Sequence, residues 1–129
     1  MIEGESYFSV KSNRFFNHQN SVWLRTTGYN DNRASCNYYE GYENGILIWG
    51  NNAGFKFDFE DFGESNSKTG ANVHLQGSRG DYAEIYYFQK GFEGGSSSNR
   101  FSGNRKIVSR TGLFSFTEPF SYAAPDVGQ

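Results

Sequence analysis

The chain of 129 residues has one cysteine, one methionine, two prolines and two histidines. A lone Cys36 excludes an intrachain disulfide and any cysteine-based zinc site. With only His18 and His74, His-based catalytic or metal sets are sparse, and no Gly-x-Ser-x-Gly elbow supports a serine nucleophile. Cys36, between Ser35 and Asn37-Tyr38-Tyr39, reads as a packed strand thiol rather than a nucleophile. Leucines number four and alanines six, too few for a helical protein. No window carries a capped 3.6-residue period. The longest aliphatic-aromatic run, Ile46-Leu47-Ile48-Trp49, is far shorter than a membrane span, and the acidic start Met1–Glu5 lacks the apolar stretch of a secretion signal. Net charge is −2, without the basic excess of a nucleic-acid footprint.

What is abundant is aromatic and turn-forming. There are 13 Phe, 9 Tyr and 2 Trp, while Gly, Ser and Asn number 16, 15 and 13. Aromatics favour strands, and Gly, Asn and Ser favour the turns between them. The expectation is one all-β domain over residues 1–129, an antiparallel β-sandwich or jelly roll of about eight to ten short strands. Nine candidates are bounded by turn residues: Ser6–Val10, Ser21–Thr26, Cys36–Tyr39, Gly45–Trp49, Gly54–Glu60, Asn72–Gln76, Tyr82–Phe88, Lys106–Ser109 and Leu113–Thr117. Alternation over 54–60 predicts Phe55, Phe57 and Phe59 inward, with Lys56, Asp58 and Glu60 on a solvated face. Gly63–Gly70 and Gly91–Ser98 read as surface loops, and residues 114–129 as a C-terminal arm onto a neighbouring subunit.

Short segments recur. Ser12-Asn13-Arg14-Phe15 returns as Ser98-Asn99-Arg100-Phe101, and Arg25-Thr26-Thr27-Gly28 returns, one residue shorter, as Arg110-Thr111-Gly112. Asn20-Ser21-Val22-Trp23-Leu24, Asn44-Gly45-Ile46-Leu47-Ile48 and Asn72-Val73-His74-Leu75 each set an Asn ahead of a short apolar strand. These echoes suggest a reused hairpin.

Strands of this Asn-x-Val-x-Leu-x-x-x-Gly kind, in Phe15–Gly28, Asn44–Gly54 and Asn72–Gly80, resemble segments of tailed-phage fibre, spike and decoration proteins. The resemblance implies a non-enzymatic structural or attachment part of a virion, assembled in a host cytoplasm with other virion proteins. It also implies homo-oligomers, often trimers, and contact with cell-surface glycans. A leaderless soluble lectin, cytoplasmic or extracellular, is the alternative, and a small glycoside hydrolase the third. A second pattern, Tyr87-x₄-Phe92-x-Gly94, resembles the folded hairpin of βγ-crystallins, but Asn30–Ser35, the segment like that family's calcium loop, falls at the wrong spacing.

Neither a cofactor, a membrane nor a nucleic acid is expected as a partner. Asp58 and Glu60, two residues apart on one strand, could space a glycosidase carboxyl pair. Lys56 beside them favours ordinary salt pairing on a solvated face. Asn30-Asp31-Asn32 and Asp58/Glu60/Asp61 supply oxygen donors without an EF-hand spacing, so no metal site is expected. Tyrosine, which pairs a flat apolar ring with a polar tip, suits sugar rings. The candidate ligand-binding residues are therefore Tyr38, Tyr39, Tyr42 and Asn44 in one cluster, and Tyr82 and Tyr86 in another.

Overall fold

The computed structural model describes residues 1–65, 70–77, 83–86, 88–89, 99–101, 108–111 and 121–122, the last two segments and 88–89 by their backbone pairing. Every strand pairing among the described residues is parallel. The first coil of chain carries β1 (Ile2–Glu3), β2 (Ser9–Lys11) and β3 (Arg14–Phe16). The second carries β4 (Asn20–Arg25), β5 (Asn32–Ser35) and β6 (Tyr38–Glu40). The third carries β7 (Asn44–Trp49), β8 (Asn51–Asn52), β9 (Phe55–Asp58) and β10 (Asp61–Phe62). The fourth has β11 (Ala71–Gln76), β12 (Glu84–Ile85), β13 (Phe88–Gln89) and β14 (Arg100–Phe101), and β15 (Val108–Thr111) and β16 (Ser121–Tyr122) follow. Each of the first three coils adds one strand to each of three sheets. The first sheet is β1-β4-β7-β11-β15, the second β2-β5-β9 and the third β3-β6-β10-β14; β8–β12 and β13–β16 form two smaller pairings.

This is a parallel β-solenoid, which corrects the antiparallel sandwich or jelly roll expected from composition. The chain is all-β and without helix among the described residues, as expected, but its strands never turn back on themselves. The repeat is a whole coil: Leu24 pairs with Ile48 and Phe15 with Tyr39, each 24 residues on, and Tyr39 with Phe62, 23 residues on. Phe62 pairs with Phe101, 39 residues on. The predicted loop Gly63–Gly70 lies within that longer coil, in part outside the described residues, and Gly91–Ser98 lies outside them altogether.

Inward positions line up between coils. Val22, Ile46 and Val73 form one apolar row, and Leu24, Ile48 and Leu75 another, all buried. On the third sheet the inward row is aromatic. Phe15, Tyr39, Phe62 and Phe101 stack face to face, with successive ring centroids 5.3, 4.7 and 5.3 Å apart. The rings follow the strand spacing of about 4.8 Å that hydrogen bonding imposes. That row explains how so few aliphatic residues fill a core.

Corners are built from left-handed backbone. Ser12 (φ 59°), Cys36 (φ 59°) and Phe59 (φ 53°) occupy the same corner in three successive coils, each just before the third sheet. The reversal at Phe59 ends the alternation: Phe55 and Phe57 are buried as expected, but Phe59 is 48% exposed. Asp58 and Glu60, expected in solvent, are 3% and 1% exposed. Cys36, expected to be packed in a strand, is an exposed free thiol at the same corner. Of the nine strand candidates, Leu113–Thr117 lies outside the described residues.

The same corner carries a polar ladder, exposed at its first rung, Asn13, and buried from Asn37 onward. Asn13, Asn37, Glu60 and Asn99 take equivalent positions in four coils, each one residue before the aligned set Arg14, Tyr38, Asp61 and Arg100. Asn37 Oδ1 accepts the Asn13 N–H at 2.9 Å, and its Nδ2 donates to Val10 O at 2.9 Å. Asn99 repeats the pattern two coils higher: Oδ1 accepts the Glu60 N–H at 2.9 Å and Nδ2 donates to Phe57 O at 3.3 Å. A corner leaves backbone groups without a sheet partner, and the amides supply it.

Candidate functional site

Because each ladder residue points inward, its successor points outward. The outward residues of the third sheet therefore form a row running along the stack, Arg14, Tyr38, Asp61 and Arg100, with direct neighbours on hydrogen-bonded strands. Phe16 and Glu40 head the next outward row. Between them opens a cleft of about 340 Å³ lined by Tyr38, Glu40, Asp61, Gly63, Glu64 and Arg100. Arg14 places its guanidinium 5.6 Å from the ring centres of both Phe16 and Tyr38, and so braces one flank. A Cβ at Gly63 would sit 3.0 Å from the Tyr38 hydroxyl and 2.9 Å from Tyr39 O. Glycine there lets the phenol lie across the floor. Desolvation, then the charges of Glu40 and Asp61, raise the Tyr38 pKa above its usual value, and Arg14 opposes them. Tyr38 therefore enters the cleft as a neutral hydrogen-bond donor among carboxylates, with Arg100 as the cationic donor.

The expected tyrosine cluster divides here. Tyr38 faces the cleft. Tyr39 is wholly buried in the aromatic row, and Tyr42 is wholly buried beside it, its hydroxyl 2.7 Å from both Gly63 O and Asn72 Oδ1. Asn44 belongs to the scaffold: its Nδ2 donates to Asn20 Oδ1 at 3.1 Å and its Oδ1 accepts the Ala71 N–H at 3.2 Å. Tyr82 lies outside the described residues. Tyr86 lines a separate cleft of about 280 Å³ with Tyr29, Asp31, Ala53, Gly54, Lys56, Glu84 and Ile85. There Lys56 Nζ pairs with Asp31 at 3.0 Å and lies 4.4 Å from the Tyr86 ring centre.

The carboxylate pair considered for glycoside hydrolysis does not open to either cleft. Asp58 is bound by Arg33 at 2.7 Å, and Glu60 is enclosed in the ladder. Among the described residues no group of three or more His, Cys, Asp or Glu could hold a metal ion. Sequence reading missed Arg14, Asp61, Glu64 and Arg100 as cleft or flank residues. The signal that could have found them is the echo of Asn13-Arg14-Phe15 at Asn99-Arg100-Phe101, whose middle members both belong to the outward row.

On the first sheet, Trp23 and Trp49 lie with their rings parallel to within 2° and centroids 6.4 Å apart, and the Arg25 guanidinium sits 4.4 Å from the Trp49 ring centre. Compared with known proteins, the chain matches no family model, no curated protein and no solved structure.

Proposed function

We propose that this chain is a non-enzymatic structural or attachment module of the virion fibre, spike or decoration type, and that it contacts glycans through the cleft at Tyr38. The observation that carries this reading is the outward row Arg14–Tyr38–Asp61–Arg100, with Glu40 and Glu64 beside it. It offers donors at Arg14, Tyr38 and Arg100 and an acceptor at Asp61, one group per coil, at steps of about 4.8 Å. That step is close to the length of one pyranose ring. A saccharide lying along the stack would meet a fresh polar group with each sugar, and the Tyr38 phenol supplies the neutral donor hydroxyls require. A free lectin would use the same cleft and differ only in setting. Assembly into a homo-oligomer belongs to the same proposal, and light scattering at micromolar concentration tests it.

A glycan array tests the binding. The native chain should bind a restricted set of glycans, and Tyr38→Ala and Asp61→Asn should lose at least about tenfold in affinity, the effect of roughly 1.4 kcal/mol. An array without hits, or variants that bind like the native chain, would overturn the reading.

A further inference from the structure

Glu60 breaks the rule of the ladder it belongs to. Asn37 and Asn99 each accept an N–H from the coil below and donate to the carbonyl three residues before that N–H. At the same station, Glu60 takes Asn37 Nδ2 at 2.9 Å on one carboxyl oxygen and at 3.3 Å on the other. The Asn37 backbone also hydrogen-bonds this carboxyl, the ladder's accepting half. An ionised carboxylate has no hydrogen for the donating half; a carboxylic acid has one, and so matches an amide in shape and in function. Burial, the largest effect, favours the acid, and outweighs the donors of Tyr39 and Asn37, which favour the anion. Among the described residues no cation pairs with the Glu60 carboxyl. Asp58, two residues earlier on β9, adds a like charge, itself taken up by Arg33. Tyr39 of β6 brings its hydroxyl close, though without a well-formed hydrogen bond, and Asn99 bonds only the Glu60 N–H.

We infer that Glu60 is a positioning residue held as a neutral carboxylic acid, a protonated rung in an amide ladder that sets the outward row Tyr38–Asp61–Arg100, and that losing its proton loosens this row. The row hangs on the ladder's backbone: the Asp61 N–H donates to Asn37 O, and the Arg100 N–H to Glu60 O, both at 2.8 Å. The inference extends the cleft reading to its pH dependence, yet its test needs no glycan. Burial pushes the Glu60 carboxyl up to about 8, in keeping with this geometry.

The test is carboxyl ¹³C NMR of the full chain with glutamate labelled, together with amide exchange. The Glu60 carboxyl should titrate near pH 8, and the Asp61 and Arg100 amides should lose protection over the same range, by about tenfold or more between about pH 6 and about pH 9.5. In E60Q, whose amide keeps both halves of the rung at any pH, those amides should hold their protection. A Glu60 carboxyl titrating with ordinary glutamates overturns the inference, as does the same alkaline loosening in E60Q. Should E60Q fail to fold, the amide would not substitute for the acid, which also counts against it, and the native titration decides independently. A glycan array without hits would leave all of these outcomes unchanged.

Discussion

Tyr38 and Tyr39 are neighbours in sequence and opposites in environment, because a strand sends successive side chains to opposite faces. Truncating Tyr39 removes one ring from a continuous stack between Phe15 and Phe62. Tyr39→Ala should therefore cost about 3–5 kcal/mol in urea denaturation, the range for a buried aromatic, while Tyr38→Ala should cost less than about 1 kcal/mol. Equal losses would mean that the two faces are exchanged. Glu60 gives a pH signature at the same scale. Its folded pKa of about 8 stands above the ordinary 4.5. Between those values the folded chain keeps a proton that the unfolded chain releases, so this group's contribution to stability falls as pH rises through the window and is level beyond it. Stability should fall across this interval by on the order of a few kcal/mol, read as a declining thermal midpoint, and E60Q should flatten the decline. None of this could be read from alternation, which puts Glu60 in water; the left-handed turn at Phe59 reverses the phase.

That turn is the weak point of its element. An L-residue in the left-handed region costs about 1–2 kcal/mol, least for Asn and Asp. Phe59 is half exposed and stands outside the core cluster of the described residues. Phe59→Asn should raise stability by up to about 1 kcal/mol, read from the urea midpoint at constant slope; a loss would show that the ring has a packing role. Gly54 is the reverse case. A Cβ there would run into the backbone carbonyl of Asn30, so Gly54→Ala should destabilise the corner of the third coil. The strands themselves were legible: Ser21–Thr26, Gly45–Trp49 and Asn72–Gln76 were expected within a residue or so of β4, β7 and β11. Their direction was not, since alternation reports which face is buried and is silent on which way the neighbour runs.

The parallel course was nevertheless present in the spacing. Asn20 and Asn44, noted as an echo, pair directly, and Asn13-Arg14-Phe15 and Asn99-Arg100-Phe101 hold equivalent stations on the third sheet. Arg25 and Arg110 do not: Arg25 aligns with Trp49 and Gln76, whereas Arg110 aligns with Leu75, so that echo is one residue out of register. The unequal coils hid the period, 22 to 24 residues low in the stack and 39 on the third sheet above Phe62. In a stack of coils each layer is held mainly by its neighbours. Amides of β7, flanked on both sides by β4 and β11, should exchange slowest, and those of β2, paired on one side only with β5, among the fastest. Uniform protection would contradict this gradient.

The backbone hydrogen bonds of all three sheets point along the stack, and this gives the molecule a mechanical grain. Tension applied between its two ends pulls those bonds apart in line, one coil after another, rather than shearing many at once. A single-molecule pulling trace should therefore show low, repeated force peaks. Peaks from the lower coils should each release about the 24 residues that separate Leu24 from Ile48, roughly 80 Å of extended chain, and longer coils higher in the stack should release more, as the 39 residues from Phe62 to Phe101 require.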